Sequence, residues 1–278
     1  MDINLPIFQD LALTISDEPG ERRVYPTARL QKGLLMRSPS LDMAEEAVGF
    51  GLPVLKQGLQ AIFPGNIKLD HLQRDSTWVV VAFYTMNLVE KIARPGKASL
   101  MSKAFYSAKN YLAALIRQFP PLRAPLTALS SALRRLFGWE TIYEWAGIST
   151  QVKMTYTIAE ETRVLAIEAD LGDVPQDKFT EAIIMNEQGA HTFDQYCDSS
   201  GTRLSGKKIG CWDEVTAEEA SFASSTQRVA FTLPRLAGAR LFRGRELIGS
   251  RLAWAGFGYS IPPTTRKFNY TIRFEKLA

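Results

Sequence analysis

Short runs in which apolar residues alternate with polar ones, broken at near-regular spacing by glycine or proline, dominate this sequence and predict β-strands. In the first third these runs are Arg23–Leu30, Leu34–Arg37, Val48–Leu55 and Leu59–Phe63, punctuated by Gly33, Pro39, Gly58, Pro64 and Gly65. Thr77–Ala93 is rich in Val, Phe, Tyr and Trp and reads as one long buried strand.

The period then changes. Met101, Ala104, Phe105, Ala108, Leu112, Leu115 and Phe119 recur at steps of three and four, which predicts an amphipathic helix of about 20 residues. Phe119-Pro120-Pro121 must end it, because proline has no N–H to donate and disfavours a helical predecessor. Pro125 suits the first turn of a second helix with an apolar stripe of Leu126, Leu129, Leu133, Leu136 and Phe137.

After Trp145 the strand pattern returns. Val152–Ala159 and Arg163–Asp170 predict a hairpin around Glu160-Glu161. Thr180–Glu187, Ala190–Cys197 and Thr202–Cys211 predict a meander that turns at Gln188-Gly189 and at Asp198-Ser199-Ser200-Gly201. Arg228–Leu233, Ala239–Arg245, Arg251–Tyr259 and Lys267–Phe274 complete the series. The expected fold is mainly β, α+β by content: a large antiparallel β-sandwich or barrel formed by residues 1–278 as a single domain, with a basic helical hairpin inserted at 97–145.

A chain of 278 residues buries an adequate core without staples, and its only cysteines, Cys197 and Cys211, exclude a disulfide framework or a four-thiolate zinc site. The N-terminal stretch carries Asp2, Asp10, Asp17, Glu18 and Glu21 and lacks the cationic start of a secretory signal, and no stretch approaches about 18 apolar residues. Both cysteines are accordingly expected as thiols in a cytoplasmic protein.

Charge changes the picture locally. Lys91 to Trp139 holds nine basic residues and no acidic one, whereas the remainder carries 24 basic and 29 acidic residues. Docking of this block on its own acidic sheet competes with contact to an anionic membrane surface, for which Lys103, Lys109, Arg117, Arg134 and Arg135 are the candidate residues. No helix-turn-helix, zinc finger or RNA-binding signature accompanies the charge, so nucleic acid is not an expected partner.

Named motifs are scarce. Gly201-Thr202-Arg203-Leu204-Ser205-Gly206-Lys207-Lys208 misses the hydroxyl of a phosphate loop and lies among hairpin signals. Gly49-Phe50-Gly51 and Gly256-Phe257-Gly258 lack a dinucleotide fingerprint's third glycine and predict instead a strand bend or a close approach of another backbone. No hydrolase elbow, metalloprotease or calcium-loop pattern occurs, and no cofactor or metal is expected.

With only His71 and His191 present, acid–base chemistry falls to a histidine or a shifted carboxylate. Glu187, His191 and Asp194 are the candidate catalytic groups, clustered around the expected Gln188-Gly189 turn. Arg240, Arg243, Arg245 and Arg251 could hold an anion; strand alternation puts Arg243 and Arg245 on one face and Arg240 on the other. Trp212, Trp254 and Tyr259 are the aromatic candidates for an apolar or sugar ligand.

Two functions follow as expectations. One is a binding protein for an anionic or amphipathic, lipid-like small molecule, with the helical insert touching a membrane. The other is a carbohydrate-active or carbohydrate-binding β-sandwich acting on an acidic sugar. The oligomeric state is not legible.

Overall fold

The computed structural model describes residues 2–8, 11–18, 20–21, 29–37, 48–58, 60–74, 76–93, 140–159, 162–248 and 252–277. In chain order the strands before the basic block are β1 (Asp2–Phe8), β2 (Leu11–Ser16), β3 (Gly20–Glu21), β4 (Arg29–Leu30), β5 (Leu35–Arg37), β6 (Gly49–Gln57), β7 (Gln60–Arg74) and β8 (Thr77–Ala93). After it come β9 (Glu140–Ala159), β10 (Val164–Asp170), β11 (Glu181–Gly189), β12 (Gln195–Asp198), β13 (Arg203–Ser205) and β14 (Cys211–Val215). The last five are β15 (Glu219–Ser224), β16 (Val229–Pro234), β17 (Arg240–Ile248), β18 (Leu252–Ile261) and β19 (Lys267–Lys276).

Fourteen of these strands form one antiparallel sheet in the order β13-β12-β15-β16-β19-β10-β9-β8-β7-β6-β11-β18-β17-β14. Its end strands β13 and β14 do not pair, so the sheet is not a closed barrel. It folds back on itself instead, and aromatic contacts show the two layers meeting. Phe257 of β18 packs edge-on against Phe222 of β15 and Phe231 of β16, and Phe50 of β6 meets Phe231 and Phe274 of β19. A second sheet, β1-β2-β5, adds Ile3, Leu5, Ile7, Leu11, Leu13 and Ile15 to the same core.

Alternation explains which residues enter that core. In β8, Val80, Ala82, Tyr84 and Met86 are buried while Val79, Val81, Phe83 and Thr85 are half-buried on the other face. β11 sends Ala182, Ile184, Asn186 and Gln188 inward.

The buried polar groups form a network rather than a set of orphans. Asn186 Oδ1 accepts from the Gly51 N–H (3.1 Å) and the Tyr270 hydroxyl (2.7 Å), while Asn186 Nδ2 donates to the Ile184 carbonyl (3.2 Å). The Tyr156 hydroxyl reaches the Gly51 carbonyl from the other side, at 3.0 Å, and lies 3.2 Å from the Tyr84 hydroxyl. Gly51, at φ 75°, is the residue that makes this possible, because a Cβ there would lie 2.6 Å from the Tyr156 ring. Gln188 accepts from the Met36 N–H (3.0 Å) and donates to the Leu34 carbonyl (3.1 Å), tying β5 and its approach to the main sheet.

Several expectations from the sequence are met. The long strand spans Thr77–Ala93, and β9 and β10 pair from Ala159↔Val164 to Lys153↔Asp170 as a hairpin. Gly201 closes the β12–β13 turn at φ 87°, its N–H donating to the Asp198 carbonyl. Asp198 is held below the usual carboxylate range: burial opposes this, but hydrogen bonds from Ser200, Tyr196 and the Thr202 and Ser200 amides outweigh it.

Others need correction. Residues 140–145, assigned to the end of the helical insertion, are strand: β9 continues the β8 ladder from Leu88↔Trp145 to Ala93↔Glu140. No α-helix occurs among the described residues; the one helical element there is a 3-10 turn at Gly206–Ile209. The remainder of the expected hairpin, residues 97–139, lies outside the described residues. No hairpin forms at Gln188-Gly189 either. β11 runs through Gly189, which pairs with Trp254, and the chain turns only beyond it, where the Thr192 and Phe193 N–H groups donate to the Gly189 carbonyl. The N-terminal residues, read above only for targeting signals, form β1 and β2.

Candidate functional site

Cross-strand register defines an outer face on β11, β18, β17 and β14, opposite the core. Its first row is Ile183, Ser260 and Arg240, its second Met185, Gly258 and Phe242, and its third Glu187, Gly256 and Gly244. Glycines at the middle of two rows leave a floor without side chains. Two tryptophans cover that floor.

Trp212 is the extra residue of a bulge in β14, where the pairing jumps from Cys211↔Gly244 to Asp213↔Arg243. It has φ 63°, a conformation rarely tolerated by a bulky residue, and its ring lies directly over Gly258. Trp254, from the row beyond, covers Gly244, where an added Cβ would lie 2.6 Å from the indole. The two indoles are 5.5 Å apart at 34°, and Trp254 Nε1 donates to Glu246 at 3.3 Å. Trp254 is buried and Trp212 half-buried, so the ring of Trp212 is the one open to a ligand.

Beside the first row is a surface cavity of about 540 Å³ lined by Thr180, Glu181, Gly238, Arg240, Ser260 and Pro262, among others. Ser260 donates to Glu181, and Arg240 holds Glu214 through two bonds, Nη2–Oε2 at 2.6 Å and Nε–Oε1 at 3.1 Å. That bidentate contact lowers the Glu214 carboxyl below its ordinary range and raises Arg240. A neutralised arginine is a hydrogen-bonding edge rather than an anion trap.

Arg243 and Arg245 share the opposite face, as alternation predicts, and both serve the fold. Arg243 Nε donates to the Ile209 carbonyl at 3.2 Å and its guanidinium stacks 4.6 Å from the Tyr196 ring centroid. Arg245 donates to the carbonyls of Phe193 (3.2 Å) and Ala190 (2.8 Å), with its pKa lowered by burial against an opposing effect of Asp194. Arg245→Ala is expected to lower stability by about 1–3 kcal/mol, because these carbonyls lose their donor. Limited proteolysis should then cut preferentially within 190–194; an unchanged digestion pattern and denaturation midpoint would refute this role.

Of the remaining candidates, Tyr259 is fully buried in the core and donates to the Pro234 carbonyl. Glu187 lies buried in the third row of the outer face; His191 is exposed on the turn beyond β11; Asp194 accepts from the Ser225 hydroxyl at 3.3 Å. Neither the cavity above nor a second one of about 440 Å³, on the outer face of β9, β10 and β19, is lined by any of the three. Arg251 and the membrane candidates Lys103, Lys109, Arg117, Arg134 and Arg135 lie outside the described residues. Among the described residues no helix is long and apolar enough to cross a membrane, and no group of His, Cys, Asp and Glu is arranged to hold a metal ion. The glycine floor and the Trp212 bulge are the features the sequence reading missed; the paired glycines of Gly256-Phe257-Gly258 were their only signal.

No protein-family model matches the chain, and no curated protein matches it in sequence. Among solved structures it is similar to the α-N-acetylgalactosaminidase NagBb from Bifidobacterium bifidum in complex with GalNAc, at a TM-score of 0.51 and 8% identity, over 100% of this chain. The ligand-free form of that enzyme gives a TM-score of 0.50 at 7% identity over 99% of this chain. In both cases this chain spans 36% of the enzyme's length. A galactose mutarotase-like protein from Lactobacillus casei covers 99% of each chain at 8% identity, with a TM-score of 0.39. The likeness to NagBb is one of fold.

Proposed function

We propose that this chain is a carbohydrate-binding β-sandwich whose ligand rests on the ring of Trp212 and reaches polar groups in the neighbouring cavity. One observation carries the reading: a half-buried tryptophan, in a backbone conformation unfavourable for it, reaches across Gly258 on the outer sheet face. Strain of this kind persists where the surroundings over-determine it, and such positions cluster at binding sites.

The chemistry suits a sugar. A pyranose offers an apolar face of C–H groups to an indole and a rim of hydroxyls to hydrogen-bonding edges. Glu181, Ser260 and Arg240 supply such an edge one row from Trp212. The fold-level likeness to an enzyme captured with GalNAc supports the choice of N-acetylgalactosamine as first probe. The reading is of binding, and Glu187, His191 and Asp194 do not line this cavity.

Saturation-transfer NMR and calorimetry with N-acetylgalactosamine, galactose and galacturonic acid test the reading. Binding of at least one sugar is expected, and Trp212→Ala should weaken it at least tenfold, about 1.4 kcal/mol. Arg245→Ala, on the opposite face, should leave the affinity unchanged. Absence of binding across the panel, or a Trp212→Ala variant that binds like the parent, would overturn it.

A further inference from the structure

β7 is bordered unequally. On one side it pairs with β8 along its length, from Ile62↔Val89 to Arg74↔Thr77; on the other only Gln60–Ile62 pair, with β6. From Asp70 to Arg74 the strand is exposed at every position, while β8 beside it stays paired with β9 as far as Thr77↔Ala159. Among the described residues no strand is hydrogen-bonded to β7 beyond Ile62 on this side, although β4 lies against part of it, and no backbone group of 68–74 bonds outward. An open strand edge is a template for another strand unless it is blunted. Here the side chains favour one partner strand.

We infer that the edge of β7 at Asp70–Arg74 pairs antiparallel with the same segment of a second copy of this chain, across a two-fold axis through Leu72. In that register Leu72 faces Leu72, Asp70 faces Arg74 and His71 faces Gln73, so the charged pair occurs twice with opposite signs opposed. Two of the neighbouring symmetric registers are penalised: centring on Asp70 sets two aspartates against each other, and centring on His71 sets Lys68 against Arg74. Leu72 is 50% exposed, and Val79 and Val81, on the same outer face of β8, are half-buried. Pairing thus joins two sheets edge to edge and brings a small apolar strip from each copy to the seam.

Five residues per copy make a small interface, so the dimer is weak and depends on concentration. Sedimentation velocity from about 5 to about 500 µM brackets the affinity of such a contact. The expected result is a monomer–dimer equilibrium within that range. Arg74→Glu, which sets like charges opposite Asp70, should weaken it at least tenfold, and Leu72→Lys should abolish it. Combining Asp70→Arg with Arg74→Asp should restore it, because the swap recreates both opposed pairs. All these positions are exposed, so thermal midpoints should stay with the parent and report that the variants fold. A chain that stays monomeric throughout, a dimer indifferent to Arg74→Glu, or failure of the swap to restore association would each overturn the inference.

Discussion

Asn186→Leu should destabilise the protein by about 2–6 kcal/mol, a large part of the net stability of an ordinary domain. The substitution keeps the shape of the side chain but removes both roles of the amide. The Gly51 N–H and the Tyr270 hydroxyl, which both donate to Asn186 Oδ1, are left inside a core where no water replaces it. An unsatisfied buried donor costs about 1–3 kcal/mol, and two are created at once. Urea denaturation should show a lower midpoint with an unaltered slope, the signature of lost stability rather than altered compactness. Adding Tyr270→Phe to the same chain removes one orphaned donor and should recover about 1 kcal/mol or more. If the single variant loses less than about 1 kcal/mol, the network is incidental to the fold.

The second large effect is a steep loss of stability in alkali. Burial raises the pKa of Tyr84, Tyr156, Tyr259 and Tyr270 above the ordinary phenol value of 10, with neighbouring phenols adding to the rise at Tyr156 and Tyr270. The sign follows from proton counting. Below about pH 10 folded and unfolded chains both hold these protons, and the groups take nothing from stability. As pH rises further the unfolded chain releases at least four protons that the folded chain retains, so stability falls by at least about 5 kcal/mol per pH unit. Cooperative unfolding is therefore expected within about two units above pH 10. Absorbance near 295 nm should show these four phenols ionising only as the near-ultraviolet dichroism is lost. Gradual ionisation of all nine tyrosines around pH 10 with the fold intact would contradict the burial described.

Where side-chain pattern and backbone geometry coincide, the sequence was legible. Thr77–Ala93 is a run of β-branched and aromatic residues, and it is one strand of those bounds. Asp198 to Gly201 carries turn chemistry at each needed position and closes the β12–β13 hairpin. Arg243 and Arg245 fall opposite Arg240 because alternation has no alternative. The failures share a cause, which is partners distant in the chain. Gln188-Gly189 resembles a hairpin turn, but Gln188 is claimed by Met36 and Leu34, more than 150 residues away, and strand pairing continues through it. Trp212 looked like any strand aromatic. Its role depends on a bulge in β14 and on glycines of β17 and β18 that only the folded register brings beneath it. Glu187, His191 and Asp194 are close in sequence, yet a turn closed on the Gly189 carbonyl, not a strand pair, separates Glu187 from the other two.

The order of strands in the main sheet has a consequence for how the protein is made. β11 lies between β6, completed more than 120 residues earlier, and β18, whose first residue follows more than 60 residues later. A chain emerging from the ribosome therefore presents β11, with its buried Asn186 and Gln188, well before the strand that covers its far edge exists. Such joins carry a high loop-closure entropy and form slowly. During synthesis the half-paired β11 is exposed to wrong partners, and holding chaperones have a segment to protect there.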